Sequence, residues 1–279
     1  MTAGHRISGS TRVVGVIGDP VRHSLSPTLY NAAFQATGID WVFVAYEVPA
    51  GGGRDALDAM RTLRMEGLSV TMPHKTDVAD AVDELSPDAR ALRSVNHVAR
   101  LADGRLFGDS TDGEGFVRSL REAGFDPASR RVLVVGAGGA ARAVVLGLAR
   151  SGAHITVAAR RDEAAHQAAS LAPAVRTVRW SDRAEALERH DLIVNATSVG
   201  MAPAGEELPV DPGALRPDLV VADLVYHPLE TPLLRAAREA GALTIDGLGM
   251  LVHQAALQFE GWTGRAAPFD VMRNAVLAQ

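Results

Sequence analysis

The chain contains a single lysine, Lys75, which is the first candidate for chemistry. The other 27 of its 28 basic residues are arginine. A guanidinium keeps its proton in a protein, whereas a lysine amine can exchange protons and is compact enough to lie beside a substrate. A solvated surface position is the alternative role. Because Pro73 ends a buried strand two residues earlier, we expect Lys75 just past the carboxyl end of that strand, where open α/β sheets bind ligands.

A glycine loop is the second candidate for chemistry. The run VLVVGAGGAA at 132–141 matches the pattern G-x-G-x-x-A between a predicted strand and a predicted helix. Gly136 allows the tight turn, Gly138 lets the backbone approach a pyrophosphate, and Ala141 permits close packing of the helix on the sheet. An ordinary glycine turn is the alternative, but the flanking strand and helix favour a dinucleotide site. The predicted cofactor-binding residues of this loop are Gly136, Gly138, Gly139 and Ala140.

Two arginines at the end of the next predicted strand indicate which dinucleotide binds. An NAD site usually has an acidic residue there, about 20 residues after the glycines, to bond the ribose 2′-hydroxyl. This chain has Arg160 and Arg161 instead. Two guanidiniums suit a 2′-phosphate, so we predict NADP as the cofactor. A solvated pair of charges is the alternative.

Composition narrows the function classes. A length of 279 residues, 47% of them apolar, is enough for two ordinary domains. A net charge of -5 without a block of like charges argues against nucleic-acid binding. The absence of cysteine excludes disulfides and thiol nucleophiles and favours a cytoplasmic enzyme. The histidines lack metal-ligand spacing and the chain lacks long apolar runs or a signal-type apolar core, so we predict neither a metal site nor membrane association.

The elements that must position these residues follow an α/β rhythm, in which apolar runs alternate with amphipathic segments. In the first third we predict strands at 13–17, 42–46 and 68–70 and helices at 27–37 and 55–64. The second series comprises strands at 132–135, 155–159, 175–178, 192–196, 219–222 and 243–245, with helices at 140–150 and 163–171. Two helical segments follow from Gly249. Their apolar face, with Leu251, Ala255 and Phe259, is expected to pack on the first domain.

Several further polar segments lie at predicted strand ends or helix starts. Taken with the glycine loop, they resemble the shikimate dehydrogenase family along nearly the whole chain. The matching motifs are DPVRHSLSP at 19–27, VTMPHK at 70–75, TDG at 111–113, NATSVGM at 195–201, Tyr226 with TPL at 231–233, and GMLVHQA at 249–255. So many matches in order make coincidence a poor explanation.

The resemblance implies reversible reduction of 3-dehydroshikimate to shikimate with NADPH, a step of chorismate and aromatic amino acid biosynthesis. It implies an α/β substrate domain with a mainly parallel sheet, residues 1–112, completed by C-terminal helices at 249–279 that pack back on it. A Rossmann-type NADP-binding domain would span 113–248, with the reaction in the cleft between the domains. The expected partner is a small-molecule substrate, without nucleic acid or membrane, and the chain is expected to be a monomer or homodimer.

Lys75 and Asp112 look like the family's catalytic pair. Hydride delivery to a ketone leaves an alkoxide that must be protonated, and in the reverse direction the same group accepts the proton. An ammonium beside a carboxylate can share this task, and which partner carries the proton is left open. A structural salt bridge is the alternative role.

The resemblance also implies the substrate-binding residues. Ser24 and Ser26, near the start of a helix, offer hydroxyls to a substrate carboxylate, with Tyr226 closing over it. Helix capping is the alternative, because Ser26 before Pro27 is a typical N-cap. The residues expected to recognise hydroxyls are Thr71, Asn96 and Gln254, for which structural hydrogen bonds are the alternative. On the nicotinamide side the expected residues are Thr197, Gly247 and Met250, the last by packing against the ring.

Five positions depart from the residues that we associate with the family. Tyr30 replaces a common histidine, His97 replaces threonine, and the residues at three usual asparagine positions are Ser69, Ser110 and Ala159. Ser69, His97 and Ser110 flank residues that are expected to touch the substrate. A quinate or quinate/shikimate dehydrogenase, or an enzyme for a related cyclic hydroxy acid, is therefore the nearest alternative.

Two more distant alternatives are weaker. A methylenetetrahydrofolate dehydrogenase has a broadly similar architecture, but the serine pair and Gln254 argue against it. A catalytically silent NADP-binding regulator would have no need of both Lys75 and Asp112.

Overall fold

The structure is a computed structural model in which residues 7–201 and 207–278 are described. The chain divides into two compact units. The first comprises the described residues up to Thr111 and from Gln254 onward, and the second runs from Asp112 to His253. Both are α/β, which confirms the predicted fold class.

The first unit is built on a six-stranded sheet with the order β2-β1-β3-β5-β6-β4. Its strands are β1 (Arg12–Gly18), β2 (Trp41–Glu47), β3 (Gly67–Val70), β4 (Glu84–Leu85), β5 (His97–Arg100) and β6 (Leu106–Asp109). Its helices are α1 (Ser26–Thr37), α2 (Gly53–Leu63), α3 (Lys75–Ala79) and α4 (Pro87–Leu92). Strand β1 pairs in parallel with β2 and β3, whereas β5 pairs antiparallel with β3 and β6.

Apolar packing holds this sheet in place. All four residues of β3 are buried, as expected for a strand covered on both faces. Ile17 and Leu68 pack with Leu57 and Met60 of α2 in one apolar cluster. The apolar residues of α2 recur on one side of the helix, so burying them docks the helix on the sheet.

The second unit contains a sheet of six parallel strands with the order β12-β11-β10-β7-β8-β9. The strands are β7 (Arg131–Val135), β8 (His154–Ala158), β9 (Arg176–Val178), β10 (Leu192–Asn195), β11 (Val220–Asp223) and β12 (Leu243–Ile245). The helices are α5 (Asp112–Glu122), α6 (Gly139–Arg150), α7 (Asp162–Ala169), α8 (Arg183–Leu187) and α9 (Pro232–Glu239). The chain starts at the centre, moves outward through β8 and β9 and returns to β10. This is the Rossmann order, with its switch point between β7 and β10.

The chain ends in two helices, α10 (Gly247–Thr263) and α11 (Phe269–Leu277). Phe259 of α10 is fully buried and stacks on Phe34 of α1, at 5.7 Å between ring centroids. Trp262, one turn further, lies against Tyr30 and Phe43. These contacts confirm that the C-terminal helices pack on the first domain.

Some boundaries differ from those predicted. Helix α10 begins at Gly247 rather than at Gly249. Strands β5 and β6 were not predicted, because each has only four residues and mixes apolar with polar side chains, which leaves no clear period to detect. In the described parts of the chain, no helix combines the length and apolarity needed to cross a membrane.

Candidate active site

The turn after β3 carries Thr71 and Lys75. The backbone N–H of Thr71 donates to Ile17 at the end of β1, at 3.0 Å, and Lys75 is the first residue of α3. The backbone N–H of Val95 donates to the Lys75 carbonyl, at 2.9 Å, which ties Lys75 to the residue before Asn96. Lys75 thus lies just beyond the carboxyl end of a strand, as predicted, and it is only partly exposed.

Asn96, Thr111 and Gln254 form a polar cluster in the same unit. The N–H of Thr111 donates to Asn96 Oδ1 at 2.8 Å, and Asn96 Nδ2 donates to Thr111 Oγ1 at 3.0 Å. The same Nδ2 lies 3.4 Å from Gln254 Oε1. Asn96 and Thr111 are nearly fully buried, and such groups need partners. The structure therefore brings together two predicted substrate-binding residues from distant parts of the chain.

Gln258 completes this cluster, although the sequence analysis did not identify it. It lies one helical turn after Gln254 and is 1% exposed. Its Nε2 donates to Gln254 Oε1 at 2.8 Å, and its Oε1 accepts from Ser69 and Tyr30 at 2.5 and 2.9 Å. A glutamine at a helical spacing of four from a predicted site residue is the signal that could have revealed it.

The two serines lie at the start of α1. Ser26 is the first helical residue, and the N-cap is Leu25, which makes no capping hydrogen bond through its side chain. The capping role considered for Ser26 is therefore wrong, because the helix begins one residue earlier than its Pro27 suggests. The Ser24 hydroxyl instead accepts from the Ser26 N–H at 3.3 Å.

The loop at 19–25, which carries Ser24, and the turn that carries Lys75 leave the sheet side by side. The N–H of Asp19, which opens the loop, donates to the carbonyl of Met72 at 3.0 Å. A Cβ on Gly18 would overlap the Thr71 methyl group, so only glycine permits this approach. The first unit therefore gathers its predicted substrate-binding residues at one edge of its sheet.

Asp112 follows Thr111 directly in the chain and is the first residue of α5. It belongs to the second unit and is 9% exposed. The positive end of the helix dipole stabilises a carboxylate at this position. Asp112 is thus held by its chain neighbour Thr111, which is bonded to Asn96.

The glycine loop follows β7 in the second unit. Gly136 has φ +117°, and a Cβ there would lie 2.6 Å from the Ala196 carbonyl oxygen, so this position requires glycine. Gly138 is the N-cap of α6, and because glycine has no side chain it cannot cap the first N–H groups of the helix. A Cβ on Gly138 or Gly139 would meet nothing within 4 Å, so the space above these exposed residues is open. Together with the N–H groups of the helix start, including Ala140, this geometry fits the pyrophosphate of a dinucleotide.

The two arginines predicted to bind a 2′-phosphate lie beside this loop. The N–H of Gly136 donates to the carbonyl of Ala158, the last residue of β8, at 2.8 Å. Arg160 and Arg161 follow after Ala159, and both are exposed. In the described part of the chain neither forms an ion pair, so both guanidiniums could bind an anionic ligand.

A buried carboxylate organises the loops after β10 and β11. Asp223 accepts from Asn195 Nδ2 at 2.9 Å and from the Thr231 hydroxyl at 2.7 Å. Asn195 Oδ1 in turn accepts from the Thr197 hydroxyl at 2.7 Å. Burial raises the pKa of Asp223, although hydrogen bonds from Val225, Thr231 and Asn195 partly offset this rise. Asp223 thus supports the predicted cofactor residue Thr197, and the sequence analysis missed it.

Three predicted residues follow β11 or begin α10. Tyr226 is partly buried, which raises the pKa of its phenol, so its O–H remains a donor at neutral pH. A Cβ on Gly247 would lie 2.6 Å from the Leu224 carbonyl oxygen, so the start of α10 approaches this loop closely. Met250 packs against the apolar core of the second unit. The residues described include no group of three His, Cys, Asp or Glu that could hold a metal ion.

Comparisons with known proteins match both units. The shikimate dehydrogenase substrate binding domain matches residues 16–98, shikimate/quinate 5-dehydrogenase matches 119–203, and the shikimate 5′-dehydrogenase C-terminal domain matches 247–277. A shikimate dehydrogenase (NADP+) of Methanopyrus kandleri is 45% identical, over 99% of both chains. The chain belongs to the shikimate dehydrogenase family.

Solved structures of shikimate dehydrogenases agree in fold. One in complex with NADP+ is 38% identical, with a TM-score of 0.94 over 99% of this chain and 98% of the other. The shikimate 5-dehydrogenase of Listeria monocytogenes, in complex with shikimate and NAD, is 37% identical, with a TM-score of 0.92 over 97% and 98%.

Three of the departures from the usual family residues lie close together. Tyr30 and Ser69 both donate to Gln258, and His97 is the register partner of Ser69 on the neighbouring strand. Trp262 lies between them, 5.2 Å from both the Tyr30 and the His97 ring. These departures therefore form one packed group behind Asn96 and Gln254 rather than separate surface changes.

His97 is a buried imidazole in this group. It is 4% exposed, and neither ring nitrogen has a hydrogen-bond partner among the described residues. Burial lowers the pKa of His97 from 6.5 to about 4, against a smaller opposing effect of Asp109. The ring is therefore neutral in the folded protein at physiological pH.

We predict that His97 makes the folded state sensitive to acid. Between pH 6.5 and 4 the unfolded chain binds a proton at His97 that the folded chain excludes, so stability falls as the pH falls. Above pH 6.5 His97 does not lower the free energy of unfolding, whereas by pH 4 it lowers it by up to about 3 kcal/mol. Denaturant unfolding followed by tryptophan fluorescence at several pH values would measure this loss.

The test compares wild type with His97→Gln, which lacks the titrating group. The variant should show a shallower loss of stability over this range, whereas His154→Gln, at an exposed histidine, should retain the wild-type slope. An identical slope for His97→Gln and wild type would contradict the prediction.

Proposed function

We propose that this chain is an NADP-dependent shikimate dehydrogenase, which reversibly reduces 3-dehydroshikimate to shikimate. The observation that carries the proposal is the 45% identity with a shikimate dehydrogenase (NADP+) along 99% of both chains. The polar residues at the sheet edges of both units support it. A cytoplasmic location and a monomeric or homodimeric state complete the proposal.

The second unit supplies the groups that would hold the cofactor. When bound, NADPH provides the hydride for reduction of the ketone. Backbone N–H groups at 138–140 would bind the pyrophosphate, while Arg160 and Arg161 would bind the 2′-phosphate. Thr197, Gly247 and Met250 would line the nicotinamide side.

The proton is assigned to Lys75 and Asp112. Reduction leaves negative charge on the former carbonyl oxygen, which an ammonium can stabilise and protonate. The Asp112 carboxylate would stabilise the ammonium and orient it. Asp112 follows Thr111, whose N–H donates to Asn96, and the Lys75 carbonyl accepts from Val95, the residue before Asn96.

The remaining polar residues would hold the substrate. The Ser24 and Ser26 hydroxyls suit a carboxylate at the start of α1, with the Tyr226 phenol as a further donor. Amides can bond ring hydroxyls as donors or acceptors, which suits Asn96 and Gln254, and the Thr71 hydroxyl can do the same.

Steady-state kinetics with two acids and two cofactors test this function. We expect oxidation of shikimate with NADP, and a much lower kcat/KM with NAD because the arginines would lack their phosphate. Quinate is the second candidate substrate, since Ser69 and His97 lie behind the predicted hydroxyl-binding residues. A higher kcat/KM for quinate would favour that function, whereas NADPH binding without turnover of either acid would indicate a regulator.

A further inference from the structure

Backbone groups determine which atom is the oxygen and which is the nitrogen in the buried side-chain amides around Gln258. The Thr111 N–H can only donate, so the group that it meets on Asn96 must be the oxygen, and Asn96 Nδ2 faces Gln254. The Asn96 carbonyl can only accept, so the group of Gln258 that lies 3.2 Å from it must be the nitrogen. Two backbone groups therefore determine the orientation of both amides.

The other end of Gln258 agrees with this assignment. Its Oε1 accepts from the hydroxyls of Ser69 and Tyr30. Burial raises the pKa of Tyr30 far above its usual range, so the phenol keeps its proton and can donate. An amide in the opposite orientation would place N–H groups against the Tyr30 hydroxyl and an oxygen against the Asn96 carbonyl.

The consequence falls on Gln254. Its oxygen lies 2.8 Å from Gln258 Nε2 and 3.4 Å from Asn96 Nδ2, so two donors hold that oxygen on the inner side. The Gln254 amide nitrogen then lies on the side away from these two donors. An amide held in this way offers a donor to a ligand, whereas a rotating amide offers either polarity.

We propose that Gln258 is a positioning residue that makes Gln254 a fixed hydrogen-bond donor to a substrate hydroxyl or carbonyl oxygen. The proposal rests on the proposed function, because it concerns the same substrate site. It assigns to the buried set of Gln258, Tyr30 and Ser69 a role in substrate affinity without contact with substrate.

A double-mutant cycle tests the proposal. Gln258→Met keeps the length of the side chain and removes its polar atoms. We expect it to raise the KM for shikimate about 10-fold with a smaller change in kcat, as loss of a contact made in both ground and transition states would. In a Gln254→Ala background the same substitution should change KM less than 2-fold. Gln35→Met, an exposed glutamine of α1, is the matched control and should keep wild-type values.

Other outcomes are equally decisive. If Gln258→Met raises KM by the same factor with and without Gln254, then Gln258 acts on the fold alone and the proposal is overturned. If Gln258→Met does not fold, Tyr30→Phe removes one donor to the Gln258 oxygen. It should raise the KM severalfold, and only when Gln254 is present; an equal effect in both backgrounds would refute the role. A wild-type protein without turnover would instead overturn the proposed function, and this proposal with it.

Discussion

Replacing Lys75 with arginine should lower kcat for shikimate oxidation by about 10²- to 10⁴-fold, the usual contribution of a positioned proton-transfer group. Arginine keeps the positive charge but cannot exchange its proton, and its planar fork is broader than an ammonium. Lys75 is partly exposed at the start of α3, so the fold should tolerate the change. Single-turnover and steady-state rates would measure the loss, with circular dichroism as the check on folding.

Asp112→Asn is the companion variant, since it preserves shape and removes the charge. It should also lose turnover, and the two losses should not multiply in the double variant if the residues act as a pair. Near-wild-type kcat in Lys75→Arg would contradict the proton-transfer role. Acetylation with acetic anhydride offers an independent check. Because the chain has no second lysine, acetylation that mass spectrometry maps to Lys75, and that excess shikimate prevents together with the inactivation, would report on this residue.

Loss of both Arg160 and Arg161 should remove most of the preference for NADP. Replacing them with alanine is expected to raise the KM for NADP by about 10- to 100-fold, since charge-assisted bonds to phosphate contribute about 1.5 to 3 kcal/mol before solvent screening. The KM for NAD should change less than about 3-fold, because its ribose has no phosphate to lose. Initial rates with saturating shikimate and either cofactor would measure both constants.

Arg176→Ala is the matched control for this pair. Arg176 is also exposed, but it begins β9 and so lies at the amino end of the strand that pairs with β8. It should leave both KM values unchanged. Equal weakening of NADP and NAD in the double variant would show that the arginines support the fold and not the 2′-phosphate.

The sequence predicted much of the fold because its main elements carry strong periodic signals. The sequence alone predicts the continuous apolar strands around Val132 and Ile193 and the glycine loop between strand and helix. The residues at strand ends, such as Lys75, could be placed because a buried strand followed by proline has few alternatives.

The remainder depended on contacts between distant residues. Nothing in the local sequence indicates that Gln258 meets Ser69 and Tyr30, which are separated from it by 189 and 228 positions. Asp223 likewise resembles an ordinary residue at a strand end until Thr231 and Asn195 are placed around it. Buried polar partners are chosen by the packed fold and not by local propensity.

The shared oxygen of Gln258 constrains how this part of the protein can evolve. Two hydroxyls, from Tyr30 and Ser69, converge on that one acceptor. Losing Gln258 alone leaves both buried hydroxyls without this acceptor, and losing both hydroxyls leaves its oxygen unpaired; either change costs about 1–3 kcal/mol. Natural variation should therefore replace positions 30, 69 and 258 as a set. Relatives with an aliphatic residue at 258 should lack the hydroxyl pair, because a lineage that crosses between the two sets passes through a less stable intermediate.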